Sequence, residues 1–443
     1  MLHAIPTATS DSPRRSALRA GRGQRYSLVA RIVQKFGGTS VADLDRIRNA
    51  AGRVKRAVDA GDQVAVVVSA MSGETNRLVD LVRAASPLHD TREYDAVVAS
   101  GEQVTAGLMA LVLQEMGVPA RSFLGWQIPL LTDGLHGRAR IMDVEGGLLM
   151  ERLGQGQVAV IAGFQGVSPE NRITTLGRGG SDTTAVALAA AIKADRCEIY
   201  TDVDGVYTTD PRIVPKARKI NRITYEEMLE LASQGAKVLQ TRSVEMAMNH
   251  NVPVMVLSSF EDKPGTLVAH EEVGENADME NEVVTGIAYD KNEAKITLVN
   301  VADQPGIAAS IFGPLSEAEI NVDMIVQNVS PDGETTNMTF TVTEADFDRA
   351  VAMLEGRKDE LRYQQILADR NVVKISVVGV GMRSHAGVAQ RMFSALAERS
   401  VNIQVISTSE IKVSVLISED YFELALRALH TAYGLDATEA LEA

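Results

Sequence analysis

The sequence predicts an α/β protein: a domain built on a mostly parallel sheet with helices on both faces, then two smaller modules of βαββαβ plan. Three observations carry this. Apolar strands alternate with amphipathic helices through residues 31–259, and repeated βα alternation makes a mostly parallel, doubly covered sheet. Two C-terminal stretches share the order strand, turn, helix, strand, strand, helix, which is an internal repeat. Gly-rich turns follow apolar or β-branched runs and precede helical patterns at Lys35-Phe36-Gly37-Gly38-Thr39-Ser40 and at Thr175-Leu176-Gly177-Arg178-Gly179-Gly180-Ser181-Asp182.

The elements follow in order. Residues 31–35 open the first strand. Residues 41–60 read as a helix, with apolar positions at Val41, Leu44, Ile47, Ala51, Val54 and Val58. Residues 64–69 form a β-branched run of buried-strand type. One long helix is expected over 94–116, ended by Gly117-Val118-Pro119. Strands are expected at 157–162, 198–201 and 252–257, with an Ala-rich helix at 182–192. Residues 261–282 break the alternation: Lys263-Pro264-Gly265 is a turn signal, and six acids without a base lie between His270 and Val283. This stretch reads as a linker after a domain spanning 29–260.

In the repeat, the first copy takes residues 295–301, the turn Asp303-Gln304-Pro305-Gly306, a helix at 307–318 and a strand at 320–322. The second takes 373–380, a turn at 381–387, a helix at 388–399 and a strand at 401–403. Half-exposed strands at 338–342 and 413–417 follow, then helices at 346–355 and 421–433. The first copy has its fourth strand near 363–367, and the second has none left. Residues 283–289, an unassigned strand ahead of the first copy, are expected to supply it. The modules are thus 283–368 and 369–443.

Composition sets bounds. The chain has 443 residues, 45% hydrophobic and 23% charged, so it is ordinary globular material for several domains. Aromatics are only 4%, which leaves the core to aliphatic side chains. The net charge of −14 argues against nucleic acid or an anionic membrane as a bulk partner, though local cations can still hold an anionic substrate. Cys197 is the single cysteine, which excludes an intrachain disulfide and fits a reducing cytoplasm. No uninterrupted apolar stretch of bilayer length is expected. Residues 1–28, with five arginines and one acid, read as an extension outside the fold, disordered or upstream of the natural start.

Both Gly-rich turns suit phosphate, because backbone N–H groups at a helix start point at an anion and glycine allows close approach. Neither is the G-x-x-x-x-G-K-[ST] loop. Lys35, just before the double glycine, reads as a cation for a transferring phosphoryl group rather than a solvated lysine. Arg178 offers a planar fork for a carboxylate or phosphate; the plain alternative is a surface turn. Asp182 has a serious alternative as a helix N-cap. An exposed helix glutamate is the ordinary reading of Glu102, and Gly101 beside it points instead to close approach of a ligand or partner. Ser69-Ala70-Met71-Ser72-Gly73-Glu74-Thr75 is a weaker βα turn. The acidic stretch 201–212 lacks EF-hand spacing, Gly379-Val380-Gly381 lacks a third dinucleotide glycine, and the histidines, His136 and His385 included, form no metal cluster.

Together these residues resemble aspartokinase. The resemblance rests on the two Gly-rich turns, Ser100-Gly101-Glu102, Gly163-Phe164-Gln165-Gly166, residues 201–212 and Ser407-Thr408-Ser409-Glu410, in order along nearly the whole chain. Gln127-Ile128-Pro129 departs from the usual small-residue turn. The resemblance implies an amino acid kinase fold followed by two ferredoxin-like ACT modules, without a fused homoserine dehydrogenase. It implies that Lys35, Phe36, Gly37 and Gly38 meet the ATP phosphates, with Lys35, Arg178 and Asp182 as the catalytic set. Ser69 would lie by the nucleotide, and Thr201, Asp202, Tyr207, Asp210 and Arg212 by the adenosine, with Lys237 reaching the phosphates. Thr75, Glu102, Arg178, Gly179, Gly180 and Ser181 would bind L-aspartate, Glu102 its α-amino group and Arg178 its α-carboxylate. ATP and Mg²⁺ are implied, with no metal ligand assigned to a side chain. Lysine and/or threonine would act as effectors at Asp303, Gly306, Ile307, Ala308, Asn321, Asp323, Gln327 and Asn328 of the first module. Asn402, Ile403, Ser409 and Glu410 would serve the second. A homo-oligomer, or assembly with a shorter ACT subunit started near Met279, is implied as well. The rivals are another amino acid kinase, acting on glutamate, acetylglutamate or UMP, and a catalytically silent amino-acid sensor.

Overall fold

The computed structural model describes residues 29–236, 238–270, 283–329, 333–385 and 387–436. Strand β1 (Arg31–Phe36) leads through a 3-10 turn into α1 (Leu44–Asp59), which starts later than its apolar pattern because the Asp43 carboxylate caps the Arg46 amide. Next come β2 (Gln63–Val68) and α2 (Glu74–Ala85). The long helix expected over 94–116 is two, α3 (Thr91–Val98) and α4 (Ser100–Glu115), joined at Ala99. There the Ser100 hydroxyl donates back to the Val97 carbonyl at 2.6 Å, a local bond that competes with the helix ladder. The stretch Thr91–Glu115 is long and apolar enough by composition alone to cross a membrane, but Arg92, Glu93, Asp95 and Glu102 interrupt it and 56% of its most apolar window is buried in the domain.

The chain continues through β3 (Ala120–Phe123), β4 (Leu130–Thr132), β5 (Ile141–Val144), α5 (Gly147–Gly154), β6 (Val158–Ala162), β7 (Gln165–Val167) and β8 (Ile173–Thr175). Helix α6 (Gly180–Ala191) leads to β9 (Arg196–Thr201) and the small pair β10 (Val206–Tyr207) and β11 (Lys219–Ile220). Then follow β12 (Arg222–Thr224), α7 (Tyr225–Ser233), α8 (Thr241–His250), β13 (Val254–Ser258) and β14 (Thr266–Ala269). The main sheet has eight strands in the order β12-β14-β13-β9-β1-β2-β6-β3, parallel except between β13 and β14. Its alternating side chains feed two cores. Val33, Ala65 and Val67 pack with α5, α6, α7 and α8, while Val64, Val66 and Val68 pack with α1 and α4. A four-stranded sheet, β5-β4-β7-β8, holds the approach to the second Gly-rich turn.

Strand β14 corrects the linker reading: Thr266–Ala269 belongs to the eight-stranded main sheet. Its four residues are hidden in sequence between a Pro-Gly turn and an acidic run. Most of that run lies outside the described residues, as do residues 1–28 and Met279.

The C-terminal half begins with β15 (Gly286–Asp290) and β16 (Ala294–Ala302), then α9 (Ile307–Glu317), β17 (Val322–Val329), β18 (Thr335–Val342), α10 (Phe347–Glu355), α11 (Lys358–Leu361) and β19 (Gln365–Asp369). It ends with β20 (Val372–Val378), α12 (Val388–Glu398), β21 (Ile403–Thr408), β22 (Lys412–Ser418) and α13 (Phe422–Ala432). One sheet runs β17-β18-β16-β19 and the other β15-β20-β22-β21. Strand β15 pairs antiparallel with β20, at the edge that β19 occupies in the first copy. Strand β22 was expected to be half-exposed, but its inner five residues are all buried. Leu416 on its outer face meets Val372, Val405, Met324 and Val326, the last two from β17, so the two sheets cover each other there.

Candidate active site

The two Gly-rich turns, at the ends of β1 and β8, face each other across a cleft of about 460 Å³. Lys35, Gly37 and Gly38 line one side; Arg178, Gly179, Gly180, Ser181 and Asp182 line the other. Ser69, Thr75, Glu102, Thr201 and Asp202 complete the wall. The weak turn 69–75 is therefore part of the site. Phe36, by contrast, is fully buried beneath it, stacked on Tyr200 with ring centroids 4.8 Å apart.

Lys35 and Asp182 form a close ion pair at 2.6 Å, both nearly buried. Asp182 is not an N-cap. Helix α6 begins two residues earlier, with Gly179 in the left-handed region at its N-cap, and the Asp182 side chain is left for Lys35. Gly179 is needed there for its φ of 72° and because Gln240 lies directly against it. Arg178 is exposed, and among the described residues it makes no hydrogen bond or ion pair.

Glu102 is 3% exposed, not an exposed helix glutamate. Its Oε1 accepts the Ala70 amide at 3.0 Å, while Oε2 is buried with no hydrogen-bond partner among the described residues. Burial pushes its carboxyl up to about 7, against the opposing pull of the Ala70 amide. Such a lone acceptor in a cleft wall suits an incoming cation. Gly101 is explained by packing rather than by a ligand: a Cβ there would stand 2.8 Å from Ala70 Cβ, so glycine lets α4 bring Glu102 up to the cleft.

Tyr207, Asp210 and Arg212 lie outside the cleft wall. Asp210 and Arg212 pair at 2.8 Å, and this hydrogen bond holds the Asp210 carboxyl below its usual range; the Tyr289 hydroxyl of β15 donates to it as well. The Tyr207 hydroxyl donates to Asp204. Lys237 lies outside the described residues. None of the twelve effector candidates lines the cleft. In the first copy Asp303, Gly306, Ala308, Asn321, Gln327 and Asn328 are exposed, Ile307 is buried, and Asp323 accepts Lys374 at 2.8 Å. In the second, Asn402 and Ile403 lie at the start of β21, and Ser409 and Glu410 form the exposed turn before β22.

Two residues that shape the site were missed in the sequence. Asp95 of α3 is fully buried and accepts the Thr175 hydroxyl, the Gly137 amide and His136 Nδ1, tying three points behind the Arg178 turn. Arg242 donates to the carbonyls of Leu176 (2.6 Å) and Ala139 (3.1 Å). A lone aspartate and a lone helix arginine carry no motif; only the tertiary contacts single them out.

The profile of the Amino acid kinase family matches residues 30–258, and that of the ACT domain matches 296–357 and 375–433. An aspartate kinase of Stutzerimonas stutzeri is 56% identical over 92% of this chain and 98% of its own length. The chain belongs to the aspartate kinase family. Among solved structures, Escherichia coli aspartokinase III in complex with aspartate and ADP is 28% identical, with a TM-score of 0.74 over 90% of this chain and 99% of that one. The same protein with lysine and aspartate gives a TM-score of 0.71, at 28% identity, over 90% and 98%. An aspartate kinase fold thus frames the cleft, and the two sheets of the C-terminal half are its ACT domains.

Proposed function

We propose that the cleft transfers the γ-phosphoryl group of ATP to the β-carboxylate of L-aspartate, giving 4-phospho-L-aspartate. The observation that carries this is the pairing of unmet charges on the substrate side: the buried Oε2 of Glu102 and the unpaired Arg178 fork. A free amino acid carries an α-ammonium for the first and an α-carboxylate for the second. Thr75 and Ser181 offer hydroxyls beside them.

The β-carboxylate, with a pKa of about 3.9, is already ionised at neutral pH and attacks without a general base. What the chain supplies is position and charge. Asp182 holds the Lys35 ammonium in the cleft, where it would offset charge on the γ-phosphate and on the leaving ADP. Gly37 and Gly38 let the backbone approach the phosphates. Thr201, Asp202 and Ser69, which also line the cleft, are proposed to meet the nucleotide. Tyr207, Asp210, Arg212 and Lys237 are proposed to bind the adenosine and phosphates from the neighbouring 201–212 and 235–239 segments. No cluster of three or more metal-ligating side chains occurs among the described residues. Mg²⁺ is proposed to arrive on the phosphates and to meet at most one or two carboxylates, Asp182 and Asp202 being the aspartates in the wall. When bound, it neutralises phosphate charge.

The twelve ACT residues are proposed to bind lysine and/or threonine as inhibitors, with two chains, or one chain and a shorter ACT subunit, assembling through these modules in the cytoplasm. The lysine complex of aspartokinase III supports the first part. The test is an ATP-dependent assay that traps the acyl phosphate with hydroxylamine, run with aspartate, glutamate and acetylglutamate, and with lysine and threonine added singly and together. Aspartyl hydroxamate formation, suppressed by effector, is expected. Product from glutamate alone, or none at all, would overturn the reading.

A further inference from the structure

Helix α7 and the segment behind it touch the second ACT sheet at one end and the substrate turn at the other. On α7, the buried Glu227 carboxylate accepts the Thr285 hydroxyl (2.5 Å) and the Val380 amide (3.0 Å) through Oε1, both from the ACT side. Its Oε2 accepts the Thr224 hydroxyl at 2.9 Å in a capping box. One turn on, Glu230 pairs with Lys412 at 2.9 Å, both partly buried. Lys412 opens β22 directly after the Ser409-Glu410 turn, and its carbonyl accepts the Ser409 amide. Just past α7, Gln234 accepts the Ser376 hydroxyl of β20 at 3.0 Å, and Gly235 lies against the Tyr289 carbonyl of β15. Six residues later the Gln240 side chain packs on Gly179, and Arg242 donates to the Leu176 carbonyl. Those are the two flanks of the Arg178 turn.

We propose that α7, with the side chains of Gln234, Gln240 and Arg242, forms a strut by which the second ACT sheet sets the position of Arg178, with Glu230 and Gln240 as positioning residues for aspartate. Effector binding at the ACT modules then reaches the site through it, a part that rests on the effector reading above. The physical basis is continuity. Each contact is buried or partly buried, and interiors pack too densely to absorb a shift without passing it on. A displacement of β22 or β20 moves α7 through Glu230 or Gln234, and the short following segment carries it to Gly179. That glycine sits in a left-handed conformation with the Gln240 side chain directly against it, so a shift of Gln240 bears on the turn.

The test is steady-state kinetics on the full chain. Glu230→Gln and Lys412→Gln are each expected to raise the KM for aspartate by about threefold to tenfold, the scale of couplings carried by packed networks. Turnover should stay within about twofold of the parent, and the KM for ATP should rise less than that for aspartate, since of the nucleotide candidates only Lys237 falls between Gln234 and Gln240 in the chain. The charge-swapped pair Glu230→Lys with Lys412→Glu is expected to recover the aspartate KM. Gln240→Ala should raise it, and adding Glu230→Gln should raise it little further, because both lie on one path. Both single variants should also need more lysine or threonine for half-inhibition. A merely structural role would lower turnover through loss of folded enzyme at unchanged KM, and that result overturns the proposal. So does an aspartate KM unchanged in Glu230→Gln and Lys412→Gln. If the parent enzyme is inhibited by neither amino acid, the effector reading fails, while the aspartate KM values still decide the strut.

Discussion

The two Gly-rich turns share their ingredients and differ in what their cations do. At the first, Lys35 is buried and already paired with Asp182, and the turn is pinned by Gly37 N–H on the Tyr200 carbonyl and by Ser40 against Ser259. At the second, the backbone is held from behind by Asp95 and Arg242, but Arg178 itself stands exposed without a partner among the described residues. A paired cation suits a ligand whose charge is large and constant, such as a triphosphate. An unpaired planar fork gains most from one ligand that fits it, and so suits recognition of one carboxylate. The difference supports the proposed division, with phosphate chemistry at one wall and amino-acid selection at the other.

Breaking each side separately should show this. The largest effect is expected from Lys35→Ala, with turnover down by roughly a hundredfold to a thousandfold, as for other preorganised charge stabilisers. Its KM for aspartate should change little in the same steady-state measurement, and near-normal turnover would remove Lys35 from the phosphate role. Arg178→Lys keeps the charge but loses the fork, and the KM for aspartate should rise by about tenfold or more, while that for ATP stays within about twofold.

Glu102 sharpens the comparison through pH. Its carboxyl titrates near 7 in the free enzyme, so below that pH it is increasingly neutral and holds an ammonium poorly. The kcat/KM for aspartate, at saturating ATP, should therefore fall as pH drops below about 7, and the residual activity of Glu102→Gln should lack that limb. The sign of the stability effect is opposite. A folded carboxyl raised from 4.5 means that ionising it costs folding free energy, a cost that grows as pH rises from 4.5 to 7 and is full above it. Glu102→Gln should accordingly be more stable at alkaline pH, by about 1–3 kcal/mol in denaturant unfolding, while losing aspartate affinity. The smallest effect is expected from Gly101→Ala. The new methyl presses on Ala70 and offsets the gain in helix propensity, for a net loss of about 1 kcal/mol and a modest rise in aspartate KM.

Much of this was legible in the sequence because it is local. Strand-to-helix turns rich in glycine announced the cleft, and the repeat announced the two C-terminal sheets. The strand at residues 286–290 was findable because an apolar run at 283–289 precedes the first copy of the repeat and belongs to the pattern of neither. Three things were hidden. Strand β14 is four residues long between breaker signals. The break at Ala99 is a single residue between two helices, with no Gly or Pro to mark it. The burial of Glu102, and the supports given by Asp95 and Arg242, depend on contacts between segments remote in sequence, which no local pattern encodes.

The most direct test of the division between the walls is equilibrium binding of aspartate and of a non-hydrolysable ATP analogue, by calorimetry, to Lys35→Ala and Arg178→Lys. Arg178→Lys should weaken aspartate by about tenfold or more and leave the nucleotide within about twofold, and Lys35→Ala should do the reverse in kind. Equal losses of both ligands in both variants would contradict the assignment of one wall to phosphate and the other to the amino acid.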